Sequence, residues 1–140
     1  MPAVIINPED WQLRTAAEGG LRSSSHNGAA VMDSSALNGP RSQLLHDANP
    51  FLCILEEPAH HHSPVHYHTE PELMIVLKGK MLLNGVWCRP GAVIFYEANQ
   101  HYWHSTGDEP CVVALLRPGD RGYMHWGPQA AARSADAQAS

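Results

Sequence analysis

From about residue 43 onward, short apolar runs alternate with turn residues at close intervals, the rhythm of an all-β domain and not of strands separated by helices. Residues 51–56 and 64–68 read as strands, and 72–77 is an apolar run stopped at Gly79. Residues 80–83 and 86–89 flank Asn84-Gly85, a pair that tolerates the positive φ angles of a tight hairpin turn. Pro90-Gly91 closes that hairpin, and 92–97, 101–105 and 111–117 supply three further strands. No helical period interrupts the series, which disfavours a parallel βαβ architecture.

The flanks look different. Residues 1–42 are weakly patterned and read as an arm, with one helical turn opening at Asn7-Pro8-Glu9-Asp10 and a strand over 29–32. The barrel then covers 43–127, and 128–140, rich in Ala and Ser with nothing large to bury, reads as a disordered tail. Within 140 residues this is one domain, and a 44% hydrophobic content excludes global disorder.

Charge narrows the range of partners. Nine Lys and Arg against fourteen Asp and Glu give a net charge of −5, with no basic run to follow a phosphate backbone, so nucleic acid is not an expected partner. The apolar runs are too short to cross a bilayer, and no basic segment leads into an apolar one at the N-terminus. A cytoplasmic protein is the expectation. Cys53, Cys88 and Cys111 form no even framework and no CxxC pair, and read as reduced, packed thiols.

The unusual feature is histidine. Ten histidines outnumber the nine Lys and Arg, and seven fall between His60 and His104. His66 and His68 stand two residues apart on an expected strand, so their side chains leave one face with backbones about 6.6 Å apart, close enough to share an ion. Glu72 begins the next strand, where antiparallel pairing can carry its carboxylate beside the two rings. Two imidazoles and a carboxylate suit a first-row transition metal with positions left open for water or substrate. Glu70, in the turn before Pro71, is the rival carboxylate, read as lying outside the ligand set. The run His60-His61-His62 cannot turn three successive side chains toward one ion in extended backbone. It reads as an exposed loop, the alternative being that one of the three lines the barrel mouth as a proton relay or substrate contact. Tyr67, Met74, Trp87, Tyr96 and Trp103 read as core or rim packing.

The stretch from His66 through His68 and Glu72 to Gly79 resembles the first motif of the cupin superfamily, HxH, three residues, Glu, six residues, Gly, without a gap. Gly85, Pro90-Gly91 and a histidine within His101-Tyr102-Trp103-His104 resemble the second motif. Counted from Gly91 without a gap, however, that motif's histidine position falls on Tyr102. The usual acidic residue after the turn glycine is Ala92, and Glu97 stands near the usual proline. The resemblance implies a double-stranded β-helix, or jelly-roll barrel, holding one divalent Fe, Mn, Ni, Zn or Cu inside, with His66, His68 and Glu72 as ligands. The fourth is His101 or His104. Strand parity separates His101, Trp103 and Ser105 from Tyr102 and His104, and a ligand at the start of the strand beside Trp103 favours His101.

The resemblance further implies a homodimer built through the N-terminal arm and sheet-to-sheet packing, and a small-molecule substrate or ligand. A metal-dependent enzyme is the first functional expectation, oxygenase-like before isomerase or lyase. A small-molecule-binding barrel without turnover and a storage protein that uses metal only for stability are the alternatives.

Overall fold

In the computed structural model, successive strands cross between two antiparallel sheets, the weave of a jelly roll. The structure describes residues 3, 5–15, 17–18, 25–26, 29–30, 38–47 and 50–118. A 3₁₀ turn at Pro8–Asp10 precedes β1 (Arg14–Thr15), β2 (Ser25–His26), β3 (Ala29–Ala30) and β4 (Arg41–Asp47). The barrel strands follow: β5 (Phe51–Glu57), β6 (His62–His66), β7 (Glu72–Lys78), β8 (Met81–Leu83), β9 (Val86–Cys88), β10 (Val93–Tyr96), β11 (Tyr102–Thr106) and β12 (Cys111–Arg117). One sheet has the order β1-β4-β5-β12-β7-β10 and the other β6-β11-β8-β9, while β2 and β3 pair as a separate hairpin. The expected disordered tail lies outside the described residues. No helix among the described residues is long and apolar enough to cross a membrane.

Local chemistry explains the boundaries. Pro8 supplies the fixed φ that starts the 3₁₀ turn, but the Asn7 side chain makes no capping bond; the turn is closed by the Asp10 amide donating to the Asn7 carbonyl at 2.9 Å. Asn84 and Gly85, with φ of 45° and 87°, turn β8 into β9 as expected. Strand β4 is an addition to the sequence reading. Its polar Ser42, Gln43 and His46 mask the alternation, yet it pairs with β5 along most of its length.

The core lies between the sheets. Phe51, Cys53, Met74, Val76, Val113 and Leu115 from the larger sheet meet Met81, Cys88 and Tyr102 from the smaller. All three cysteines are free and buried, as expected, and burial pushes the thiols of Cys53 and Cys111 up to about 12, which keeps them protonated and inert. Trp87, by contrast, is on the surface, with the Lys80 ammonium 4.4 Å from its ring centroid.

Candidate functional site

The register assembles a polar cluster at one end of this core. Arg117 faces Phe51 on β5, Tyr96 faces Glu72 across β10 and β7, and Leu116 opposite Leu73 brings Arg117 alongside Glu72. From the smaller sheet, Tyr102 faces His66. One extra residue on β6 between the pairs Tyr102↔His66 and His104↔Ser63 lets Ser63 and His66 both turn inward. Burial alternates through His66, Tyr67 and His68, so the second histidine keeps its inward face just beyond the strand.

The side chains of this cluster are linked to one another. The Tyr102 hydroxyl donates to Glu72 Oε1 at 3.3 Å and lies 3.1 Å from His68 Nε2. Arg117 Nε donates to Glu72 Oε2, and its Nη2 donates to His68 Nε2 at 3.3 Å. His66 Nδ1 donates to the Pro64 carbonyl at 2.7 Å, so Nε2 is the nitrogen that carries the lone pair. The rings of His66 and His68 stand edge to face at 5.5 Å, and Tyr96 stacks on Tyr102 at 3.9 Å. His66 and Glu72 are each only 1% exposed, so water contributes almost nothing to solvating them.

Burial, reinforced by the nearby His104, holds the His66 imidazole well below the ordinary histidine range, hence neutral. Burial, aided by the Glu72 charge, holds the Tyr102 phenol well above its ordinary range, hence protonated.

A second cluster lies farther along the same interior. His104 Nε2 donates to Glu57 Oε1 at 3.0 Å, and His61 Nε2 lies 3.2 Å from Glu57 Oε2. Burial pushes the Glu57 carboxyl up, but the His104 hydrogen bond and the charges of His104 and His61 outweigh it and leave the group below its ordinary value. The ring of His104 is 5.9 Å from that of His66, which places the two clusters in sequence along the core. Thr106 anchors the intervening loop, accepting from the His61 amide at 2.9 Å. The three successive histidines therefore diverge: His60 is exposed with φ of 56°, His61 turns inward to Glu57, and His62 lies in β6 against Ser105.

The structure thus brings His66, His68 and Glu72 together and does not bring His101 to them. Tyr102, His104 and Thr106 are the inward residues of β11, so the parity read from sequence holds but the inner face is the opposite one. His101 precedes the strand, half-buried, with its ring 4.7 Å from Tyr67. It lines a cleft of about 220 Å³ with Val65, Asn84, Tyr102 and Trp103. Trp103 likewise faces away from the cluster, its ring 5.9 Å from His62. The ungapped motif count that fell on Tyr102 was the signal for the inward side chain. Arg117, Glu57 and His61 were not singled out as members of either cluster. Arg117 and Glu57 share strand parity with core residues, Leu115 and Val113 in one case and Cys53 and Phe51 in the other, which is the signal that could have found them.

In kind, two imidazoles, a carboxylate and a phenol suit a transition metal. In disposition, the carboxylate and one imidazole are engaged by Arg117, and among the described residues no three His, Cys, Asp or Glu side chains are grouped to hold an ion. Among the described residues, the buried hydroxyl of Tyr96 and Nδ1 of His104 have no hydrogen-bond partner.

No family model and no curated protein matches the chain significantly. Solved structures do. The polyketide cyclase RemF from Streptomyces resistomycificus matches with a TM-score of 0.55 at 20% identity, covering 62% of this chain and 70% of that one. The DMSP lyase DddQ from Ruegeria pomeroyi matches at 0.57 and 18% identity over 76% of this chain and 60% of that protein. An RmlC-like cupin protein from Ralstonia eutropha matches at 0.60 and 12% identity over 80% and 77%. The two woven antiparallel sheets and these likenesses define the class: the chain has the cupin fold. Enzymes are among the structures that share it.

Proposed function

We propose that this cupin barrel binds one divalent transition metal, Fe, Mn, Ni, Zn or Cu, through His66, His68 and Glu72, and acts on a small organic molecule. Tyr102 faces His66 where His101 was the expected fourth ligand, and its hydroxyl lies in the same cluster. The observation that carries the reading is the burial of two imidazoles, a carboxylate and a phenol in one cluster between the sheets. When bound, such an ion supplies Lewis acidity or a redox couple.

The chain's own groups do the rest. Pro64 fixes the tautomer of His66, and Arg117 orients Glu72. Tyr102 holds a proton at its hydroxyl within reach of two acceptors, which suits general-acid delivery to a substrate oxygen. Of the two reaction classes expected from sequence, oxygenation and isomerase or lyase chemistry, the protonated phenol favours the second.

His66→Ala and His68→Ala should each lose most bound Zn²⁺, read by elemental analysis after dialysis, with the far-ultraviolet circular dichroism of the barrel unchanged. A full zinc equivalent retained by both variants would remove the metal assignment.

The partner proposal is a second copy of the chain. On the outer face of the larger sheet, Val93 and Phe95 of β10 are 65% and 63% exposed, opposite Ile75 and Leu73 of β7 and near Leu116 of β12. Strand β1 of the arm lies against β4 within the chain, and the exposed β10–β7 area is the surface we assign to the partner. Phe95→Glu should convert a dimer to a monomer in sedimentation velocity. A dimer of unchanged affinity would place the interface elsewhere.

A further inference from the structure

The cluster around Glu57 is built to move a proton, and it has no part in the metal assignment. Glu57 and His104 are 4% and 5% exposed. An ionised carboxylate only accepts, so the 3.0 Å bond from His104 Nε2 to Glu57 Oε1 fixes which imidazole nitrogen carries the hydrogen. The lone pair is then on Nδ1, which has no hydrogen-bond partner among the described residues. His61 Nε2 stands at the other carboxylate oxygen, 3.2 Å from Oε2, and with His104 it keeps Glu57 ionised at neutral pH inside the barrel. Placement adds a second group. His104 and Tyr102 are two residues apart on the inward face of β11, their rings nearly parallel and 6.2 Å apart. An oriented imidazole lone pair thus lies beside a phenol that holds its proton.

On the reading that the barrel acts on a small organic molecule, and with no need of an ion, we propose that His104 is a general base oriented by Glu57, and that the substrate class is a carbonyl compound carrying a hydrogen on the carbon next to the carbonyl. In the step, that C–H bond breaks and its proton goes to His104 Nδ1. Its electron pair becomes a carbon–carbon double bond, and the carbonyl π pair moves onto oxygen, where Tyr102 donates a hydrogen bond to the developing charge. Glu57 stabilises the imidazolium that forms and is a positioning residue. Return of the proton to the far end of a conjugated enolate completes an isomerisation. Departure of a leaving group with its electron pair from the adjacent carbon completes an elimination, and the leaving group takes the proton.

The test is turnover of nitrobenzisoxazole by the intact chain, with binding of the probe followed separately by tryptophan fluorescence. A base removes the C–H proton of this neutral probe as its N–O bond breaks, giving a coloured cyanophenolate. Wild type should turn it over, and His104→Gln should lose about 100-fold or more in kcat. Glu57→Gln, which keeps the shape and removes the charge, should lose about tenfold or more in kcat with KM little changed, a split that a merely structural carboxylate would not produce. His60→Ala, on the exposed loop, should leave turnover unchanged. Nitrogen-15 NMR of the wild-type imidazoles should show the His104 hydrogen on Nε2. A hydrogen on Nδ1 overturns the proposal even where neither variant folds, as does turnover that survives His104→Gln. Probe bound without turnover overturns the base and leaves the small-molecule reading standing. Neither binding nor turnover removes both.

Discussion

Gly79→Ala should destabilise the barrel by about 3 kcal/mol or more, because two independent costs fall on one residue. Gly79 ends β7 with φ of +71°, in the left-handed region where a side chain is strained. A Cβ there would also stand 2.1 Å from the Pro110 carbonyl oxygen and 3.1 Å from the Cys111 Cα. Both are backbone atoms at the start of β12, the strand that joins β5 to β7, so the obstacle cannot rotate away. Relief requires β12 to move from β7, loosening the pairing that positions Arg117 beside Glu72. Gly85→Ala is the control. It has a similar positive φ of +87° but nothing within 4 Å of the added carbon, so it should cost only about 1 kcal/mol. Urea unfolding of the two variants side by side separates strain from collision, and equal losses would show that the close approach to Pro110 carries no weight.

Glu72→Ala should cost about 3–5 kcal/mol, the penalty for leaving a buried charge without its partner. Arg117, 5% exposed, would lose the carboxylate it pairs with and keep His68 Nε2 as an acceptor. The diagnostic comparison is the double variant Glu72→Leu with Arg117→Met, in which both charges are replaced by apolar side chains of similar bulk. It should recover most of the loss, since a buried ion pair contributes little net stability compared with well-packed hydrophobic groups. Urea midpoints for the single and double variants give the coupling directly. A double variant as unstable as Glu72→Ala would mean that the carboxylate stabilises the fold through Tyr102 and not through Arg117.

These two positions also show what a sequence discloses. Glu72 and Gly79 were legible because their roles are local: six residues separate a carboxylate that begins a strand from the glycine that ends it, and the spacing of a single strand is fixed. Asn84-Gly85 was legible for the same reason, a two-residue turn with one conformational demand. Tyr102 was half legible. The motif count reached it and strand parity separated it correctly from His101, but the preference for a ligand at the start of the strand beside Trp103 chose His101 over His104 and so the wrong face. The face was decided by pairing with His66, more than thirty residues away. For Arg117, parity with Leu115 and Val113 marks an inward side chain, but its partner Glu72 is fixed only once the neighbouring strand is known. The same applies to Glu57, whose partners His61 and His104 come from a loop and from the opposite sheet.

The pairing of Arg117 with Glu72 has a further consequence, for how the chain finds its alignment. Strand β12 is nearly all apolar, and a slip of two residues against β7 would preserve its inward and outward faces, so hydrophobic pattern alone scarcely distinguishes the native alignment from its neighbours. The charges do distinguish them. Two residues of slip would move the guanidinium about 7 Å along the carboxylate's strand, leaving both ions in the interior without each other. Alignments that a purely greasy strand would tolerate are thereby closed off, and the polar end of the barrel works as a lock on strand register.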